Sequence, residues 1–315
     1  MNSRGETPVA RDTVAITGPQ WSMEVWPALG GALVAAKARH AGAWLEVTRP
    51  IEAASVTERS ILKLGGFALA PFCNRIEGAS FTHEGATVRL PRNWPADPAI
   101  AIHGLAWQRP WRVDVRGEQH VELAQAVDEA GVDFRYAARL TYDVTGEVAR
   151  QAISIRNEGE TTLPFGLGFH PYFRRTPKAT VAFAADGWLV PDARCFPLRW
   201  QPLTPDLDAR TGCLVEALKG TDATFTGWSR QAALTWPELG ATLMLEASAT
   251  AKALHVFVPG DGRQTLCLEP VSHVIDVHNR RHLATYGDAT PLAPGETLQL
   301  DMYWRLDPWA PSIAP

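Results

Sequence analysis

Cysteine is scarce and scattered in this 315-residue chain: Cys73, Cys195, Cys213 and Cys267 form no close pair. That spacing argues against a disulfide framework or a paired-thiolate zinc site, and the four read as reduced thiols of a cytoplasmic protein. No stretch approaches the roughly 18 apolar residues of a membrane helix. The opening Met-Asn-Ser-Arg-Gly-Glu has no apolar run of a secretory signal. Thirty basic residues balance 34 acidic ones, for a net charge of −4 with no Lys/Arg block, so the footprint of a nucleic-acid binder is missing. There is no Gly-x-Ser-x-Gly elbow, no Gly-x-x-x-x-Gly-Lys cradle and no Gly-x-Gly-x-x-Gly after a strand, which argues against acyl transfer, nucleotide hydrolysis and hydride transfer. No repeat, low-complexity tract or linker divides the chain. We therefore expect a single domain over 1–315, with tails at about 1–10 and 308–315 loosely held.

What the sequence does have is period-2 alternation. Even positions of Ala138-Arg139-Leu140-Thr141-Tyr142-Asp143-Val144 are apolar and odd ones polar, and the same beat recurs in 86–90, 241–247 and 297–306. Turn signals such as Thr145-Gly146-Glu147 and Pro259-Gly260-Asp261-Gly262 separate the strands. The Ala-rich Gly30–His40 segment reads as an early strand because of its opening glycine pair, and Pro191–Gly212 as a long irregular rim loop. So many antiparallel strands in one chain imply an all-β protein built as a large antiparallel β-sandwich. The 12 tryptophans suit a carbohydrate-binding surface, although Trp more often packs in cores and rims.

Three segments combine a reactive side chain with a stiff local context. Glu269 follows Thr265-Leu266-Cys267-Leu268 and precedes Pro270, which places it at a strand end, as a general base facing a cleft or as an ordinary salt-bridged glutamate. His170 lies between Gly166-Leu167-Gly168-Phe169 and Pro171-Tyr172-Phe173. It is either a proton donor of near-neutral pKa with a fixed ring or a satisfied structural histidine. His103, before Gly104, carries the same two readings. Arg75, after Asn74 in a turn-like segment, either offers its fork of donors to hydroxyls or pairs with Glu77 or another carboxylate. Asp222 either accepts hydroxyl protons or caps a turn. Glu269, His273 and His278 match no helix-borne zinc spacing, so no metal is expected, and no cofactor motif is present.

The order and wording of these segments resemble the aldose 1-epimerase (galactose mutarotase) family. The matching pieces are Asn74-Arg75-Ile76, His103-Gly104, the block from Pro164 to Phe173, Asp222 to Trp228, and Leu268-Glu269-Pro270-Val271-Ser272-His273 with Asn279. The resemblance implies a β-sandwich with an open sugar cleft. It casts Glu269 as base and His170 as acid, with Arg75, His103, Asp222 and Asn74 as substrate-binding residues and no cofactor. The partner it implies is a small-molecule sugar bound by a monomer or homodimer, with no nucleic acid and no membrane. Galactose mutarotases carry His-Gly-Gly where this chain has His103-Gly104-Leu105, which leaves the aldose open. A hexose-6-phosphate epimerase would recruit Arg109, Arg174 or Arg175 to a phosphate, but Leu105-Ala106-Trp107 after His-Gly favours an unphosphorylated sugar. A non-catalytic sugar-binding protein and a β-sandwich glycoside hydrolase are the other readings. The hydrolase requires a second carboxylate facing Glu269 at about 5–5.5 or 6.5–9.5 Å.

Overall fold

Alternation along a strand sends neighbouring side chains to opposite faces, and here it produces two large antiparallel sheets that share one core. The computed structural model describes residues 12–309; the 1–10 tail and residues 310–315 lie outside the described residues. Residues 308 and 309, expected within the loosely held tail, are held by the sheet. Pro308 closes the Thr297–Pro308 strand opposite Ala241, and the Trp309 amide donates to the Gly240 carbonyl at 2.8 Å.

The eleven-stranded sheet runs Val14–Thr17, Trp21–Trp26, Ala32–His40, Gly66–Leu69, Gly168–Arg174, Thr265–Val271, Ala253–Phe257, Asp222–Thr226, Gly187–Pro191 and Pro197–Pro202, with Ala43–Glu46 paired on Ala32–His40. The nine-stranded sheet runs Arg112–Arg116, His120–Val127, Tyr136–Asp143, Ala149–Asn157, Thr297–Pro308, Ala241–Ala247, Gln231–Trp236, Thr180–Phe183 and Cys213–Leu214. The Gly30–His40 segment is a strand from Ala32 onward. Pro191–Gly212 is not irregular throughout: Pro197–Pro202 is an edge strand, the one sheet position where prolines at both ends cost no ladder partner on the open side. Among the described residues, no helix is long and apolar enough to cross a membrane.

The sheets stack face to face. Trp21 and Phe173 of the larger sheet meet Trp304 of the smaller at ring-centroid distances of 6.3 and 5.1 Å, and Trp236 Nε1–H donates to the Arg174 carbonyl at 2.9 Å. One parity of each central strand feeds this core: Phe169 and Phe173, Leu266 and Leu268, Leu254 and Val256, Ala223 and Phe225. The other parity, including Phe67, Tyr172, Cys267 and Phe257, forms a second cluster on the outer face together with Ile100 and Ile102. Those isoleucines lie on the ribbon of Arg75–Glu77 and Ile100–Ile102, which covers that face. Because both faces are covered, every residue of Thr265–Val271 is buried, and the alternation is hidden in its sequence.

Candidate active site

The outer face of the larger sheet presents a row of side chains at one level across five strands. Phe67 pairs with His170, Glu269 with His255, and His255 with Thr224. His170 and Glu269 are bracketed by the pairs Gly168–Val271 and Tyr172–Cys267 on their two strands. Residues in such a row lie about 5 Å apart through their Cβ atoms, close enough for side chains to touch. His170 Nε2 lies 3.3 Å from Glu269 Oε1. The imidazole is sandwiched between aromatic neighbours, with ring centroids 4.9 Å from Phe67 and 4.5 Å from Tyr172. Glu269 is thus in mid-strand, not at a strand end. Pro270 is tolerated there because the ladder to Gly168–Arg174 lapses between those two bracketing pairs, where Pro171 also lacks an amide hydrogen.

The wall of the cavity comes from two loops that lock each other. The His103 amide donates to the Asn74 carbonyl at 2.8 Å, and Leu105 donates to the Ala70 carbonyl at 2.7 Å. Both Asn74 (φ +56°) and His103 (φ +59°) are left-handed, a conformation in which Asn and His are enriched among non-glycine residues. Gly104 must be glycine. At φ +73°, a Cβ there would sit 1.9 Å from the Ala70 carbonyl oxygen. Gly104→Ala is expected to destabilise the fold by more than about 2 kcal/mol and to lower activity with it; a thermal-unfolding midpoint equal to wild type would show that the two loops can part at no cost.

Arg75 opens a short strand where the sequence suggested a turn. Its carboxylate partner is Asp222, at 3.0 Å from Nη2 to Oδ2 and 3.4 Å from Nη1 to Oδ1, not Glu77. Asn74 Oδ1 accepts from the same guanidinium at 2.9 Å and so fixes its approach. Asp222 also faces His255 Nε2 at 3.0 Å. Burial alone would raise the Asp222 carboxyl, but His255 and then Arg75 outweigh it and hold Asp222 well below the usual carboxylate range. The sequence gives one sign of His255: a lone imidazole inside the apolar run Ala253-Leu254-His255-Val256-Phe257, a polar group that a buried strand keeps only with a partner.

Asn74, Arg75, His103, His170, Asp222 and Glu269 therefore all line one cavity of about 180 Å³, with Trp94 and Arg263 also contributing to its lining. Glu269 Oε2, His170 Nδ1 and His103 Nδ1 are buried there without a hydrogen-bond partner among the described residues. Unmatched buried polar atoms are costly, so their gathering in one concave place marks a site built for a polar ligand. Burial pushes the Glu269 carboxyl well above its ordinary range and His170 down to about 3. Both shifts favour the uncharged pair, and for His170 the direction is away from the near-neutral value expected from sequence.

His170, Cys267 and Glu269 bring three possible metal-ligand atoms within 4.8 Å of one another. Burial, followed by the Glu269 charge, drives the Cys267 thiol well above its usual range, opposing the thiolate that a metal would need. His273 is structural: its Nε2 accepts from the Cys73 amide at 2.9 Å and its Nδ1 contacts the Val274 carbonyl at 2.9 Å. A Cβ on Gly166 would strike the His273 ring at 2.0 Å. Ser272 holds the same turn, its Oγ accepting from the Leu167 amide at 2.8 Å. The residues around His170 and after Glu269 are thus shaped to clamp the two strands together.

The sequence model of the family described as aldose 1-epimerase matches residues 12–303. The uncharacterized protein YphB of Escherichia coli (strain K12) is 29% identical over 248 residues, covering 76% of this chain and 83% of its own. Among solved structures, the galactose mutarotase-like protein from Clostridium acetobutylicum superposes with a TM-score of 0.81 at 17% identity, covering 93% of this chain and 94% of that one. The galactose 1-epimerase from Lactobacillus acidophilus NCFM superposes at 0.75 with 16% identity, covering 97% of each chain. At these identities the two structures bear on the fold alone.

Proposed function

The chain belongs to the aldose 1-epimerase family, and from that premise we propose that it interconverts the α and β anomers of a free aldose by opening and reclosing the sugar ring. The observation that carries this reading is the buried His170–Glu269 pair, 3.3 Å apart, at the floor of a cavity lined with hydroxyl-binding groups.

Ring opening requires removal of the proton from the anomeric hydroxyl and delivery of a proton to the ring oxygen as the bond from C1 to that oxygen breaks. In the ion-pair form, Glu269 takes the hydroxyl proton and His170 gives its own to the ring oxygen. The products are the open-chain aldehyde, the Glu269 carboxylic acid and neutral His170. After rotation about C1–C2, Glu269 returns a proton to the aldehyde oxygen while His170 takes one from the attacking hydroxyl, and the ring closes on the other face. Ring opening leaves the pair uncharged, the form that burial favours. Arg75, Asn74, Asp222 and His103 hold the remaining hydroxyls, and each proton-transfer partner contributes roughly 10²- to 10⁴-fold.

The group facing Glu269 is an imidazole, and both Asp222 oxygens are engaged by Arg75 and His255. That supports proton shuttling over the two-carboxylate chemistry of a glycoside hydrolase. Arg109 is paired with Glu129 and Arg175 with Glu216, and neither these nor Arg174 line the cavity, which favours an unphosphorylated sugar. Polarimetry of freshly dissolved α-anomers, each with and without a 6-phosphate, tests the proposal. Accelerated mutarotation of a free aldose is expected; acceleration of the phosphorylated form alone would overturn the substrate class, and none with any aldose would overturn the activity.

A further inference from the structure

His255 faces Glu269 on one neighbouring strand and Thr224 on the other. Its Nδ1 is 3.1 Å from Thr224 Oγ1 and its Nε2 3.0 Å from Asp222 Oδ1. The imidazole is buried, and it is one step removed from the groups assigned to proton transfer. We propose that His255 is a positioning residue for sugar binding: it fixes the Asp222 carboxylate, and through Asp222 the Arg75 guanidinium, in the arrangement that receives sugar hydroxyls. The proposal rests on reading this cavity as an aldose site.

Asp222 Oδ1 has two protein donors, His255 at 3.0 Å and Arg75 Nη1 at the longer 3.4 Å. Without His255 that oxygen keeps only the weaker contact, and a carboxylate tethered mainly through Oδ2 turns about its own axis. Arg75 would follow. Its guanidinium gives hydrogens to Asn74 and to both Asp222 oxygens, leaving Nε and one hydrogen of Nη2 for a ligand; a rigid fork offers those donors in one direction only while its anchors are fixed. Thr224 completes the chain. When its hydroxyl donates to Nδ1, the neutral ring carries its hydrogen on Nε2, the tautomer that can donate to Asp222. Two neighbouring strands of one sheet thus hold a single relay, Thr224 to His255 to Asp222, that ends at the guanidinium on the covering ribbon.

The test compares His255→Leu, His255→Gln and Thr224→Val with wild type, measuring KM and kcat by polarimetry and sugar Kd by calorimetry, together with thermal unfolding. His255→Leu should raise KM and Kd about 10-fold or more, the range for losing a hydrogen bond to a charged group, while kcat changes far less. His255→Gln, whose side-chain amide can still donate to Asp222, should recover most of the affinity, and Thr224→Val should fall between. A role in packing alone would leave Gln as impaired as Leu, and a drop in kcat at unchanged KM would place His255 in the proton-transfer step; either overturns the proposal. If His255→Leu does not fold, the order of the other two decides: Thr224→Val binding as tightly as wild type, or His255→Gln binding more weakly than Thr224→Val, overturns it. Should wild type bind aldoses without turning them over, the epimerase reading fails while the Kd series still judges His255. Should it bind none, both fail.

Discussion

Glu269→Gln is expected to lower kcat for mutarotation by about 10²-fold or more, the loss typical of removing a general base, with the thermal midpoint close to that of wild type. Glutamine has the shape of the carboxyl group, and burial already disfavours the carboxylate, so no buried charge is left without its partner. What the amide lacks is exchange: it cannot take a proton from the anomeric hydroxyl and return it to the aldehyde oxygen. The substitution therefore separates chemistry from binding, and KM should move much less than kcat. Retention of more than about a tenth of kcat, far above the usual general-base loss, would remove Glu269 from the reaction.

The fold and the membership of the site were legible in the sequence for different reasons. Strands covered on one face only, such as Tyr136–Asp143 and Thr297–Pro308, show their alternation openly. The strands that carry the site are covered on both faces, and Thr265–Val271 reads as an unbroken buried run, so periodicity could not place Glu269 within it. Proline before Val271 then read as a strand end, when the ladder instead lapses locally to admit it. His103 and His170 stood out because each lies beside a glycine whose purpose the structure shows, Gly104 beneath the Ala70 carbonyl and Gly166 beneath the His273 ring, whereas Arg75 and Asp222 left two readings open until the family resemblance assigned them. His255 has no such neighbour in sequence; Asp222 and Thr224, its polar partners, lie on the adjacent strand, more than thirty positions away. The direction of the His170 shift was also hidden, since it comes from burial under a ribbon that only the tertiary structure supplies.

That shift changes the expected pH behaviour. The pair is active while it carries one proton and fails when it gains a second or loses the one it has. The second proton must go to His170, whose value burial lowers from 6.5 to about 3, so the acid limb of kcat/KM moves down. Loss of the single proton involves Glu269, which burial raises above 4.5, so the alkaline limb moves up. The displacements are opposite, and the plateau widens in both directions; kcat/KM should show no acid-side bend near pH 6.5, where an ordinary histidine would give one. These limbs belong to the pair and not to either residue alone. In His170→Asn the rate should fall by roughly 10²- to 10⁴-fold, the alkaline limb should disappear and an acid limb should remain, because Glu269 is then the only titrating member and accepts a proton only when ionised. An acid limb near 6.5 in wild type would show that His170 titrates at its ordinary value despite its burial. A His170→Asn enzyme with the wild-type rate would pass the second proton-transfer role to His103, whose ring lies 5.1 Å from that of His170.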